Sequence, residues 1–465
     1  METKHRLTNS TEHHLRPRAL RAYFALLLLL CLGAQSLVAQ TAPQTRLVVR
    51  DKLGLSNVLN LCKLLGCAVD HGLGDPDGQL FLIMTPRPLN VIVGLLNLNL
   101  GVISVETDQI VQTQGADAGP APTYLTDRTP VSYYGTTVWR GYVTQPGNQL
   151  ILTDKTHAAF NTAGANVIVA VIDTGVDPTH PVLMNSLVTG YDFTRGKSGG
   201  SEDADVSQST VAVLDHRMPA KVSQSTVAVL DQSSVAVLDG PQYAAFGHGT
   251  MVSGIVHLVA PQAKIMPLKS FHSDGTGYNS DILNAIYYAV NHGAKVINMS
   301  FNYSTSSQEL ANAVNYANSR GVICVAAAGN DGQQATVYPG ALKSVIDVAS
   351  TGDNDIRSTF SNYGAPPVWL AAPGEGIMTT YPFGTWAAGW GTSFSAPLVS
   401  GTAALMVSTS PTTLSLTSVL TGGGAKTQAG SALSHTQPIS DSQMGYGRLN
   451  TYQAMQAWRK AMGLE

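Results

Sequence analysis

Val167-Ile168-Val169-Ala170-Val171-Ile172-Asp173-Thr174-Gly175-Val176-Asp177 is the stretch on which the fold turns. Its first half is apolar at every position. A strand with one wet face would alternate, so this run reads as a strand buried on both faces of a parallel sheet. Ile265 to Leu268, Val296 to Met299, Val322 to Ala328 and Val345 to Ala349 repeat the pattern downstream. Between them, Ser280 to Asn291 and Gln308 to Ser319 carry apolar residues at helical spacing. The alternation predicts an α/β domain with a doubly wound, mostly parallel sheet. Ligands in that architecture bind beyond the carboxyl ends of the strands. Asp173 and Asn330 each follow such a run.

Upstream, residues 40 to 112 read as a smaller unit. Thr45 to Val49, Gln79 to Met84 and Val102 to Val111 have strand character, and Leu53 to Leu65 and Leu89 to Leu98 have helical spacing. The order is read as a β-α-β-β-α-β, ferredoxin-like α+β unit, one of whose four strands these segments leave unassigned. The turn-rich Gly115 to Pro122 follows as a protease-accessible linker. At the N-terminus, Arg16, Arg18 and Arg21 precede the apolar run Ala22 to Ala34 and small residues near Ala39. That is the layout of a secretory signal peptide, and the run is shorter than the roughly 20 residues a spanning helix needs.

A net charge of -3 with 12% charged residues over 465 positions gives no electrostatic reason to expect nucleic acid as a partner. The four cysteines do not make a disulfide scaffold: Cys31 lies in the signal region, Cys62 and Cys67 in the small unit. Cys324, inside an apolar run, reads as a buried small apolar residue. An octapeptide, Gln208 to Asp215, recurs at Gln224 to Asp231 and nearly so at Gln232 to Asp239. It is too short for a solenoid repeat. It is expected to form a hairpin or extended add-on within a surface insertion spanning about 196–240, without a catalytic role. Glu202, Asp203, Asp205, Asp215, Asp231 and Asp239 make that insertion acidic, and a solvated charged surface is the expected reading.

Three local sequences carry chemistry together. Asp173 ends a buried strand. Gly247-His248-Gly249-Thr250 opens a helix, and so does Gly391-Thr392-Ser393-Phe394-Ser395-Ala396-Pro397, where Pro397 is expected near the helix start. A serine hydroxyl becomes a useful nucleophile when a base within hydrogen-bond reach takes its proton, and histidine titrates in the right range. A buried carboxylate can hold the imidazole in one tautomer and stabilise the imidazolium. Asp177 and His180 lie close to the first motif and are read as a surface turn.

These three segments, in this order, resemble the signature motifs of the subtilisin-like serine proteases (subtilases, peptidase type S8). The resemblance runs over roughly residues 158–457, apart from the insertion, and includes Ala327-Ala328-Gly329-Asn330 and Gly445 to Asn450. It implies a serine endopeptidase with Asp173, His248 and Ser393 as triad. Asn330 would donate its side-chain amide to the oxyanion beside the Ser393 N–H. It also implies that Ser300-Phe301-Asn302 and Ala327-Ala328-Gly329 flank an extended substrate, with Asn302 standing where the family usually has glycine and Asp331 near the rim of the primary pocket. A protein that kept the fold for binding alone would be expected to have lost at least one of these four residues.

By the same resemblance the chain divides into a signal peptide (1–39), an inhibitory prodomain (40–112), a linker with the processing region (113–125) and a catalytic domain (126–465). The alternative for 40–112 is an ordinary α+β accessory domain. No cofactor is implied. The stretch from His248 to Pro261 is shorter than in calcium-binding relatives, and Val182 stands where they have an aspartate. The usual tight calcium site is therefore expected to be absent, with weak calcium binding left open. The expected partners are protein or peptide substrates and the chain's own prodomain. The expected state is a monomer without a stable membrane anchor, secreted or periplasmic.

Overall fold

The computed structural model describes residues 44–113, 120, 122–205, 227–229, 241–364, 366–409 and 431–464. The expected signal peptide, most of the expected processing region and nearly all of the octapeptide copies lie outside the described residues.

The N-terminal unit runs β1 (Thr45–Asp51), α1 (Leu55–Leu65), β2 (Ala68–Gly72), β3 (Leu80–Thr85), α2 (Leu89–Asn97) and β4 (Val102–Thr107). Its sheet is antiparallel, in the order β2-β3-β1-β4. Alternation along β1 and β3 sorts the side chains. Leu47, Val49, Phe81 and Ile83 meet Val58, Cys62, Ile92 and Leu96 of the two helices. Val48, Leu80 and Leu82 face the other way and join a core of the larger domain. Two details differ from expectation. Strand β2 is mostly exposed and polar, so its sequence carried no strand signal. Cys62 and Cys67 are disulfide-bonded, across the Gly66 turn that ends α1 in a left-handed conformation.

Expected as one strand, Val102 to Val111 is broken. The chain leaves β4 at Thr107, and β5 (Ile110–Gln112) pairs antiparallel with Thr276–Tyr278 in the larger domain. Asp108, between them, turns to hydrogen-bond Ser280.

The larger domain centres on an eight-stranded sheet. In chain order its strands are β6 (Ile168–Asp173), β7 (Tyr191–Asp192), β8 (Lys197–Ser198), β10 (Lys264–Lys269), β12 (Val296–Met299), β13 (Ile323–Ala327), β14 (Val345–Thr351) and β15 (Leu370–Pro373), where β9 is Val227–Val229 and β11 is Thr276–Tyr278. Their spatial order is β8-β7-β10-β6-β12-β13-β14-β15, parallel except for the edge strand β8. From β6 the chain goes first to β10 on one side and then crosses to β12 on the other. That places the topological switch at the carboxyl end of β6, beside Asp173.

Two cores explain the unbroken apolar runs. Val169 and Val171 of β6, Val296 of β12 and Val325 of β13 point into one core with Met251, Val252, Ile255, Leu398 and Val399. Ala170, Ile172, Ile297, Met299, Cys324 and Ala326 point into the other, with Ile282, Ile286, Leu310 and Val314. Helices α3 (His248–Val259) and α6 (Thr392–Ser408) thus cover one face, and α4 (Asn279–Asn291) and α5 (Gln308–Ser319) the other. Cys324 is buried, as read from its run, and burial pushes its thiol up to about 12.

Pro397 lies beyond the first turn of α6 rather than at its start. A proline there has no N–H for the carbonyl four residues back, which is that of Ser393. The hydroxyl of Ser300 donates to that carbonyl at 2.9 Å instead. Within the insertion, β9 pairs antiparallel with β17 (Thr385–Gly389), which pairs with β16 (Ile377–Tyr381). No helix among the described residues is long and apolar enough to cross a membrane.

Candidate active site

Strand β6 delivers Asp173, and the first residue of α3 is His248. What brings them together is the fit of two glycine-containing turns: a Cβ on Gly249 would overlap the carbonyl of Gly175. The His248 Nδ1 lies 2.7 Å from Asp173 Oδ1, which also accepts the Thr174 N–H at 2.8 Å. Because a carboxylate only accepts, Nδ1 carries the proton and Nε2 is left as the basic nitrogen. Asp173 is buried. Burial opposes charging the His248 imidazole, but the charge and hydrogen bond of Asp173, with a contribution from Glu202, outweigh it and raise the imidazole pKa.

Ser393 is the second residue of α6 and is buried. The following residue, Phe394, places its ring 5.7 Å from the imidazole of His248, so the helix starts of α3 and α6 face each other. The Ser393 hydroxyl donates to the carbonyl of Ser300 at 3.1 Å, rather than to the imidazole. Contacts of this kind are often long or unformed before substrate binds. The residue also exchanges two bonds with Ser300, which is itself held by Asn298 Nδ2 at 2.9 Å.

Asn330 follows β13 on the same side. Its Oδ1 accepts from both the N–H and the hydroxyl of Thr392, each at 2.9 Å. Two donors on one residue settle which end of the amide is oxygen. The Nδ2 lies 3.2 Å from where a Cβ on Gly391 would sit, and Gly391 has φ 144, so this approach needs glycine. The Asn330 amide is thereby fixed against the first turn of α6, next to Ser393.

Of the expected substrate-flanking residues, Ser300, Phe301 and Asn302 follow β12, and Ala328 and Gly329 follow Ala327 at the end of the adjacent β13. Phe301 and Asn302 are buried, Phe301 against Phe271. Asn302 lies against Gly329, where its amide approaches the position of a Cβ at 3.1 Å. Asp331 is exposed and accepts from Asn362. The segment that actually receives an added strand is Thr276–Tyr278, and Thr113 N donates to Gly275 O at 2.8 Å. Sequence reasoning missed this segment, where Gly275 leaves room for the Thr113 side chain.

Two expectations about polar residues need correction. Asp177 and His180 are buried, not a surface turn: Asp177 accepts from Thr179 and from the Phe383 N–H, and His180 bonds the Thr385 carbonyl. Nor is the first part of the insertion a solvated acidic surface. Glu202 is 0% exposed, and Asp205 pairs with the buried Lys269 at 2.6 Å and with Arg195. Asp215, Asp231 and Asp239 lie outside the described residues. For calcium, the Val182 side chain is packed in the apolar core and offers no oxygen. Among the described residues no group of three or more His, Cys, Asp or Glu is arranged to hold a metal.

The model of the subtilase family (Peptidase_S8) matches residues 164–447. Thermitase of Thermoactinomyces vulgaris is 34% identical over 255 residues, covering 53% of this chain and 76% of the relative. The thermophilic serine proteinase of Bacillus sp. (strain AK1) is 33% identical over 321 residues, 69% of this chain and 68% of its own. Among solved structures, fervidolysin from Fervidobacterium pennivorans, described as a keratinolytic enzyme related to subtilisin, superposes with a TM-score of 0.65 at 22% identity. It covers 89% of this chain, which spans 61% of fervidolysin, and the likeness shows a shared fold.

Proposed function

The chain belongs to the subtilase family, and on that premise we propose that it is a secreted serine endopeptidase, made as a precursor that its N-terminal unit holds inactive. The reaction follows from the site. His248 Nε2 takes the proton of the Ser393 hydroxyl as Oγ adds to the scissile carbonyl. Asp173 holds Nδ1–H and the imidazolium that forms. The oxyanion is met by Asn330 Nδ2 and the Ser393 N–H. The imidazolium then protonates the leaving amine, leaving an acyl-enzyme that water opens by the same path in reverse. Addition and proton transfer are complete with these groups, so the reading calls for no cofactor. Protein and peptide chains are the substrates, the enzyme acts as a monomer, and no membrane anchor or nucleic acid takes part.

The observation that carries this reading is the 2.7 Å contact between His248 Nδ1 and Asp173 Oδ1, opposite the start of the helix bearing Ser393. The inhibitory role of residues 40–112 is supported by the way the small unit grips the larger one. Glu106 accepts from the Ser307 hydroxyl at 2.6 Å and from the N–H groups of Gln308 and Glu309 at 2.8 and 3.2 Å, at the start of α5. Asp108 does the same for α4 through Ser280, at 2.8 Å to both N–H and hydroxyl. Carboxylates at helix N-termini meet unpaired donors and the positive end of the dipole. Arg50 pairs with Glu309, and the tail at β5 lies along Thr276–Tyr278 as an added strand, the way an extended substrate would bind.

The test is Ser393→Ala. It is expected to lower kcat by roughly 10⁶, a scale taken from a subtilisin rather than derived from this geometry, to block fluorophosphonate labelling and to leave the precursor uncut. A wild-type chain that takes no label once the N-terminal unit has been removed refutes the catalytic reading. Normal maturation of Ser393→Ala refutes self-processing.

A further inference from the structure

Glu202 stands out because nothing in the reaction scheme uses it, yet it is fully buried next to two residues that the scheme needs. Its segment is pinned by backbone bonds to the loop after β6: Val176 N to Gly200 O at 2.9 Å and Glu202 N to Val176 O at 3.3 Å. Three donors converge on its carboxylate. The Thr174 hydroxyl reaches Oε1 at 2.5 Å, the Gly247 N–H reaches the same oxygen at 2.7 Å, and the Thr250 hydroxyl reaches Oε2.

Those donors have a direction. Thr174 Oγ1 accepts from Gly249 N at 3.0 Å, and Thr250 Oγ1 accepts from Asp177 N at 2.8 Å. Each hydroxyl therefore accepts a hydrogen bond from a backbone N–H and donates one to Glu202. Such a network is complete only if both carboxylate oxygens accept. Thr174 adjoins Asp173, while Gly247 adjoins His248 and Thr250 lies two residues past it, so one side chain ties together the backbones that carry the hydrogen-bonded pair.

We propose that Glu202 is a positioning residue for the Asp173–His248 pair, supplied by the insertion, that locks the turn after β6 to the first turn of α3 and so sets the imidazole. This rests on the triad reading above. The charges around it are consistent with such a role. Asp173 and His248 lie on one side. Lys269, fully buried on β10, is on another, held by Asp205 and by the carbonyls of Thr174 and Phe271. Asp203 is the adjacent acid, itself raised to about 6 by burial and by Asp177. Burial pushes Glu202 up to about 7, its hydrogen bonds and Lys269 pulling the other way, and its charge in turn raises His248.

The experiment compares wild type, Glu202→Gln and Glu202→Ala as full chains, cut where necessary by a trace of wild-type enzyme. Rates are expressed per fluorophosphonate-labelled site and followed against pH. Truncation to Ala frees both turns, and misplacement on the scale of 1 Å costs about 10²-fold, so kcat is expected to fall about 30- to 100-fold with KM within about twofold. Gln keeps one accepting oxygen and loses the charge. It is expected to recover part of kcat, since its amide nitrogen meets a donor, while its acid limb moves to lower pH because the imidazole loses a stabilising anion. An unshifted acid limb in Glu202→Gln, or an Ala variant whose labelled sites turn over at the wild-type rate, overturns the proposal. Should Ala fail to fold, the Gln profile alone decides. A wild-type chain without label overturns the triad reading and this proposal with it, a result distinct from either.

Discussion

Replacing Glu106 by Ala removes the acid that joins the N-terminal unit to α5. Three hydrogen bonds end on this carboxylate, two of them from N–H groups of the first helical turn. A helix cap contributes about 0.5–2 kcal/mol and a charge at the dipole about 0.3–1 kcal/mol. The Gln308 contact is exposed, so water replaces part of what is lost, and the net loss of docking is about 1.5–2.5 kcal/mol. At 1.4 kcal/mol per tenfold, the two units should part about 10- to 70-fold more readily. Helix α5 itself should not suffer, since the Ser307 hydroxyl already accepts from Leu310 N at 3.0 Å. On the proposed inhibitory role, the assay is serial dilution of the cleaved complex, reading peptidase activity as the N-terminal unit dissociates. Half-maximal activity should appear at a correspondingly higher concentration in the variant, with unchanged thermal stability once that unit is gone. A dilution curve within about threefold of wild type would refute the docking argument.

Two further outcomes follow from the geometry. Asn330→Ala should lower kcat by about 10²–10³ with little change in KM, on a scale known from a subtilisin, and steady-state kinetics on a peptide amide checks it. His257 is buried, and burial, then the nearby His180, lowers its pKa to about 4. The unfolded chain takes up this proton below about pH 6.5 and the folded one does not, so stability is lost as pH falls through that value. Urea unfolding of Ser393→Ala at about pH 7.5 and about pH 4.5 should show on the order of 2–3 kcal/mol more acid loss than the same chain carrying His257→Gln. Equal losses would refute the assignment.

Most of the sheet could be read ahead of the coordinates because burial on both faces leaves an unmistakable mark. Val296–Met299 and Gln308–Ser319 fall where their patterns put them. What escaped was decided between segments. Glu202 sits among glycines and acids that look like loop, and its burial comes from Thr174, Gly247 and Thr250, far away in the chain. Val102 to Val111 is interrupted by the polar run Glu106 to Gln109, but nothing local says that the Asp108 carboxylate will meet Ser280. Pro397 misled in the same way: the bond it removes from α6 is made good by Ser300, on another strand's loop.

The Cys62–Cys67 bridge has a consequence for when the molecule is vulnerable. Both sulfurs belong to the unit that processing would discard, and beyond it the chain holds only Cys324, shut inside the core. If the unit is discarded as proposed, thiols in the surroundings could undo a covalent tie only before that cut. After the cut, the working enzyme would be indifferent to how reducing its environment is.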